Sequence, residues 1–166
     1  TEIYTLSLHD ALPISPVCAT TLLTVDKRDL VNDLKQAYNV VELGWVGDPD
    51  RYARAYSACD VLLMPSTAEA FGLMALEAMA AGRPVVCFEG TSLPSVTFAP
   101  ECGVAVPPGD VGALRAALDR LAQNPAEAAR RGALGRSLSA QHYRHEQYLD
   151  GIVEVYTSAL GNSGTT

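Results

Sequence analysis

The sequence predicts an α/β protein, a doubly wound parallel sheet with helices on both faces. Two observations lead there. Short apolar, β-rich runs alternate along the chain with amphipathic stretches of helix length, and strands separated in this way pair in parallel and are covered on both sides. The composition, 48% hydrophobic and 19% charged, fits one globular domain with its own core.

The elements follow in order. The run VCATTLLTV (17–25) reads as a strand ending at Asp26. In KRDLVNDLKQAY, Leu30, Leu34 and Tyr38 are spaced like one face of a helix. VVEL (40–43) is a short strand closed by Gly44. DPDRYARAYSA (48–58) has a helix start written into it: Asp48 can cap the first turn, and Pro49 suits the first helical position. DVLLMPS is a buried strand stopped by Pro65. AFGLMALEAMAAG is a helix closed by Gly82, which tolerates the left-handed conformation common just past a helix end. RPVVCFE is the next strand, and a loop rich in Thr, Ser, Pro and Gly follows it. GVAVPPGD reads as strand, turn and cap. In the helix after it, Leu114, Ala117, Leu118 and Leu121 share a face. A helix over 126–138 and a long one over about 142–160 close the chain, and residues 161–166 are expected to form a disordered tail.

Charge and composition exclude several functions. The formal charge is −7, and no basic face suited to nucleic acid or anionic lipid stands out. No apolar run approaches the roughly 20 residues of a membrane span. Cys18, Cys59, Cys87 and Cys102 form no CxxC pair and read as reduced core thiols. A cytoplasmic protein is therefore expected. His142 and His145 have only Glu146 beside them and read as surface histidines, so no metal site is expected. Residues 1–14 are unusual in another way. Read back into codons, TEIYTLSLHDALPI can be written as the in-frame translation of a widely used sequencing adapter. The other reading is an amphipathic leader, because Tyr4, Leu6 and Leu8 alternate with polar residues. The adapter reading makes 1–14 non-native and assigns the domain to 15–160. Glu2 and Asp10 lie in that segment and no Lys or Arg does, which leaves −5 for the remainder.

The chemistry concentrates in PSTAEAFGLMALEAMAAGRPVV (65–86). A buried strand ends at Pro65, a short polar turn follows, and a helix starts near Phe71 or Gly72. In open α/β sheets ligands bind beyond the carboxyl ends of the strands, which is where this turn lies. The first helical turn offers unpaired N–H groups and the positive end of the dipole, which together suit a phosphate. Gly72 allows close approach to the backbone. Glu69 precedes this anion site, and Glu77 shares a helix face with Leu73 and Met74. Carboxylates beside a phosphate make sense when they accept hydrogen bonds from hydroxyls. The pattern therefore suggests a phosphate flanked by hydroxylated groups, as in a nucleotide diphosphate sugar.

These residues resemble the fingerprint of family-four retaining glycosyltransferases (glycosyl transferases group 1), in their nucleotide-binding C-terminal domain. The resemblance rests on EAFGLMALEAMAAGRPVV with its two glutamates separated by seven residues, on the upstream ELGWVGDPDRYARAYSACDVLLMPS, and on GVAVPPGD. It implies a Rossmann-like domain, one half of a two-domain glycosyltransferase-B type fold. It implies that Glu77 binds the ribose hydroxyls and Glu69, in the catalytic position, contacts the donor sugar. It further implies that Phe71, Gly72, Leu73 and Met74 present backbone and helix start to the diphosphate and sugar. Trp45 and Val46 are placed near the base through backbone groups, while Trp45 fits a packing role equally well. The implied reaction moves a sugar from a nucleotide diphosphate to an acceptor hydroxyl with retention, in glycan or glycolipid synthesis. No cofactor is implied beyond the donor substrate. The acceptor is a glycan, a lipid-linked sugar or a small molecule.

The chain also departs from the family pattern. The first strand, with its Gly-bearing turn and the Arg and Lys that pair with the diphosphate, is expected before residue 15, as is the N-terminal acceptor domain. Ser95 stands where the family often has Glu. With the usual order 3-2-1-4-5-6, the missing strand would be central, between the strands at 17–25 and 60–64. The chain by itself is then expected to be poorly stable and inactive, and any association with the inner face of a membrane would come through the missing domain. Two other functions share these motifs: a non-catalytic nucleotide-sugar-binding module, and a related nucleotide-sugar epimerase.

Overall fold

The computed structural model describes residues 21–24, 35 and 39–161. The adapter-like segment, Cys18, the helix expected over 27–38 and the tail beyond Gly161 lie outside the described residues. Two strands come first, β1 (Thr21–Thr24) and β2 (Asn39–Glu42). They are followed by α1 (Pro49–Ala58), β3 (Leu62–Met64), α2 (Leu73–Ala80), β4 (Val85–Phe88) and α3 (Leu93–Val96). The chain continues with β5 (Val104–Val106), α4 (Val111–Gln123), α5 (Pro125–His142) and α6 (His145–Gly161).

Local chemistry sets most boundaries. Asp48 Oδ1 accepts the Asp50 N–H at 3.0 Å, with Pro49 opening α1 as expected. Asp110 caps α4 by accepting the Ala113 N–H at 2.8 Å, and Asn124 caps α5 by accepting the Glu127 N–H at 3.1 Å. Gly82 closes α2 at φ 75, its N–H bonded to the Met79 carbonyl and the next N–H to that of Ala78. Two boundaries differ from expectation. The Thr/Ser/Pro/Gly loop contains the one-turn helix α3, opened by Thr91 Oγ1 accepting the Leu93 N–H at 3.2 Å. The helix expected over 126–138 runs on to His142, because nothing in its final turn breaks the pattern.

Among the described residues all strand pairs are parallel, in two sheets: β1-β2 in the register Thr21↔Asn39, and β3-β4-β5 with Leu62↔Val85 and Val86↔Val104. β4 is buried on both faces, and its side chains alternate between two cores. Val85 and Cys87 pack with Tyr56, Ala75, Ala78, Met79 and Leu93, under α1, α2 and α3. Val86 and Phe88 pack with Leu114, Ala117, Leu121 and Ala128, under α4 and the start of α5. The doubly wound expectation therefore holds. No strand pairing joins β1-β2 to β3-β4-β5 among the described residues. A cavity of ≈ 210 Å³ is lined by Thr24 and Leu43 from one side and Leu62 and Leu63 of β3 from the other, with α1, Met74 and Arg83 completing it.

Helix α5 is held tightly. Arg131 donates to the carbonyls of Pro100 and Gly103 (3.1 Å) and, through Nε, to Glu127 Oε1 at 2.8 Å. Where α5 meets the end of α2 the backbones nearly touch: a Cβ at Gly132 would lie 1.9 Å from the Gly82 carbonyl oxygen. Helix α6 buries none of its residues and exposes Tyr148, Val153, Val155, Tyr156 and Leu160. No helix among the described residues is long and apolar enough to cross a membrane.

Candidate functional site

Strand β3 delivers the chain to Pro65, and the turn from Pro65 to Gly72 leads into α2 at the carboxyl end of the sheet. Gly72 takes φ 92 and ψ 57, and no side chain caps the helix. The Ala75 and Leu76 N–H groups bond back to the Gly72 carbonyl at 2.9 and 3.2 Å. The N–H groups of Leu73 and Met74 have no such acceptor among the described residues, and both side chains are exposed. This is an uncapped helix start that faces solvent, with the chemistry of an anion site. Gly72 is buried at the base of the turn. A Cβ there would lie 2.4 Å from Leu93 Cδ2 and 3.5 Å from Glu69 Cγ.

The half-buried Glu69 lies in the turn, with Oε1 accepting from the Phe71 N–H at 3.4 Å. The turn is anchored from outside by Ser92, whose hydroxyl lies 3.2 Å from the Glu69 carbonyl oxygen and 3.1 Å from that of Phe71. Its single proton serves one at a time. Phe71 stands edge-on to Tyr143, with centroids 5.9 Å apart. Phe98 lies 6.0 Å from Tyr143 and 5.3 Å from His142, so the exposed His142 serves as a ring neighbour. Among the described residues no three His, Cys, Asp or Glu side chains gather as a metal site.

Glu77 is exposed on α2, and its Oε2 accepts a hydrogen bond from the Tyr56 hydroxyl at 3.0 Å. The Tyr52 and Tyr56 hydroxyls are 3.4 Å apart and their rings pack edge to face at 5.1 Å. Burial, then the bonds to Tyr52 and Glu77, push the Tyr56 phenol far up, so it stays protonated. Trp45, in the loop after β2, is 94% exposed. Val46 beside it is half-buried. No hydrogen bond or ring contact joins either residue to the 65–77 stretch.

The structure thus brings Glu69, Phe71, Gly72, Leu73, Met74 and Glu77 together around one helix start and leaves Trp45 and Val46 on a separate loop. Tyr56, Ser92 and Tyr143 are the neighbours that sequence reasoning missed. Tyr56 was visible only as a residue of an amphipathic helix, and neither Ser92 nor Tyr143 belongs to the motif.

Known proteins resemble this chain in sequence and fold. A sequence profile of the family described as glycosyl transferases group 1 matches residues 19–124. The chain is 35% identical over 112 residues to the MMP alpha-(1->4)-mannosyltransferase of Mycolicibacterium hassiacum, covering 67% of this chain and 27% of that protein. Its fold matches the sucrose-phosphate synthase of Thermosynechococcus elongatus with a TM-score of 0.78 and 30% identity, covering 94% of this chain and 42% of the other. It also matches the fold of Anabaena HepE, solved in complex with UDP, with a TM-score of 0.75 at 23% identity, covering 94% and 45%. The chain therefore spans less than half the length of each of these three proteins. Profile, relatives and fold agree, and this chain belongs to the glycosyl transferases group 1.

Proposed function

We propose that this domain binds the nucleoside diphosphate sugar of a retaining glycosyltransferase, which passes the sugar to an acceptor hydroxyl. One observation carries the reading: the uncapped start of α2, with unengaged N–H groups at Leu73 and Met74, lies between two carboxylates of the same motif. The helix start and its dipole receive the diphosphate. Glu77 accepts from the ribose hydroxyls, and Glu69, on the far side of the helix start, accepts from those of the sugar. As the glycosidic bond breaks, negative charge grows on the diphosphate and positive charge on the sugar ring. Fixed N–H dipoles answer the first and Glu69 favours the second. The solved complexes of HepE with UDP and with UDP-glucose support the choice of ligand class. The acceptor site belongs to a further domain, and the exposed apolar residues of α6 offer that domain a seat.

Two substitutions test the assignment in an enzyme carrying this domain. Glu77→Gln is expected to weaken nucleotide binding by roughly tenfold to a hundredfold, the value of charge-assisted bonds of about 1.5–3 kcal/mol. Calorimetry with the cognate nucleotide reads it, and an unchanged Kd ends the ribose role. Glu69→Ala is expected to lower kcat by about tenfold or more with a smaller effect on nucleotide affinity. Normal turnover in steady-state kinetics removes Glu69 from the active site.

A further inference from the structure

The two tyrosines of α1 reach across to α2 and end on the exposed Glu77. Tyr56 is only 9% exposed, and its ring packs in the core beneath α2. Its hydroxyl lies 3.0 Å from Glu77 Oε2 and 3.4 Å from the Tyr52 hydroxyl. The direction of these bonds follows from donors and acceptors. An ionised carboxylate can only accept, so the single Tyr56 proton goes to Glu77, and the Tyr52 proton is free to go to the Tyr56 oxygen. A relay therefore runs from Tyr52 through Tyr56 to one carboxylate oxygen. The other oxygen, Oε1, has no partner among the described residues.

We propose that Tyr56 is a positioning residue for the donor site: it pins Oε2 of Glu77 so that Oε1 faces the diol of the bound nucleotide. The inference rests on the ribose role proposed for Glu77 and deepens it. Glu77 sits on an exposed helix face with no ion pair to hold it among the described residues, so apart from the Tyr56 bond its side chain can sample solvent-facing rotamers. A bond from a buried donor selects one of them before the ligand arrives, and preorganisation of this kind shows as affinity for the group recognised. The tyrosine proton is well suited to the task, since burial keeps the phenol protonated across the working pH range. Tyr52 supports the arrangement from one turn earlier on α1, by its hydroxyl and by the edge-to-face contact.

The test uses an enzyme carrying this domain and calorimetry with UDP, GDP and ADP, taking the tightest binder and its 2′,3′-dideoxy analogue. Wild type is expected to prefer the ribonucleotide by roughly tenfold or more. Tyr56→Phe keeps the ring and loses the proton. It is expected to weaken the ribonucleotide by about fivefold and leave the dideoxy analogue unchanged. In a Glu77→Gln background it should cost nothing further. If Tyr56→Phe keeps the full ribose preference, the positioning role is wrong while the Glu77 reading stands. If both ligands weaken equally, Tyr56 is merely structural and the inference falls. If wild type shows no ribose preference, or binds none of the three nucleotides, the Glu77 reading fails and takes the inference with it. Should Tyr56→Phe not fold, Tyr52→Phe carries the same test, with a loss of about twofold confined to the ribonucleotide; an equal loss on both ligands, or none, overturns the relay.

Discussion

Gly132→Ala is expected to destabilise the fold by about 2–4 kcal/mol, lowering Tm by very roughly 10 °C. The new methyl carbon would lie 1.9 Å from the Gly82 carbonyl oxygen and 2.7 Å from its carbonyl carbon. Both are backbone atoms, so no rotamer change can clear them. Gly82 cannot retreat easily, since its N–H is bonded to Met79 and the Arg83 N–H to Ala78 at the end of α2. Helix α5 cannot retreat easily either, because Arg131, one residue away, bonds the carbonyls of Pro100 and Gly103. The better helix propensity of Ala opposes the loss by about 1 kcal/mol. Thermal melting decides between them. A raised Tm would mean that propensity dominates and that α5 is not seated on Gly82.

Gly72→Ala is expected to damage stability and donor binding together. Its φ of 92 lies in the region that side chains avoid, at a cost of about 1–2 kcal/mol. Its Cβ would also meet Leu93 Cδ2 at 2.4 Å. Leu93 can rotate, but the backbone strain remains, and relieving it turns the N–H groups at the start of α2 away from the ligand. Nucleotide affinity should fall by about tenfold or more. Calorimetry against a melting curve separates the two effects. Wild-type affinity in a destabilised variant would show that the ligand does not use this helix start.

Much of this was legible in the sequence because it depends on local chemistry. Asp48 and Pro49 announce α1, Gly82 ends α2, and the alternation of Val85, Val86, Cys87 and Phe88 between two cores follows from a strand buried on both faces. The grouping of Glu69 and Glu77 around Gly72 is also local, since strand, turn and helix are consecutive. What the sequence hid lies across the fold. Tyr56 is 21 residues from Glu77, and its hydroxyl finds the carboxylate only because α1 packs against α2. Ser92 reaches the turn from the next connection, and its partners are carbonyls that carry no sequence signal. The continuation of α5 to His142 was missed because its one buried residue beyond 138 is Ser139, which does not register as part of an apolar stripe.

The burial of β4 also sets the chain's behaviour in alkali. Cys87 is fully buried, and burial pushes its thiol up from 9.0 to about 11. At neutral pH only about one such thiol in ten thousand is ionised, so the folded core offers almost no nucleophile to an oxidant or alkylating agent. The same shift ties the thiol to stability with a definite sign. Between the two values the folded chain holds a proton that the unfolded chain has released. This contribution is therefore complete below about pH 9 and is given up as pH rises towards 11. Base both loosens the domain and arms the sulfur that the loosening exposes, so alkaline inactivation and thiol modification become one event rather than two.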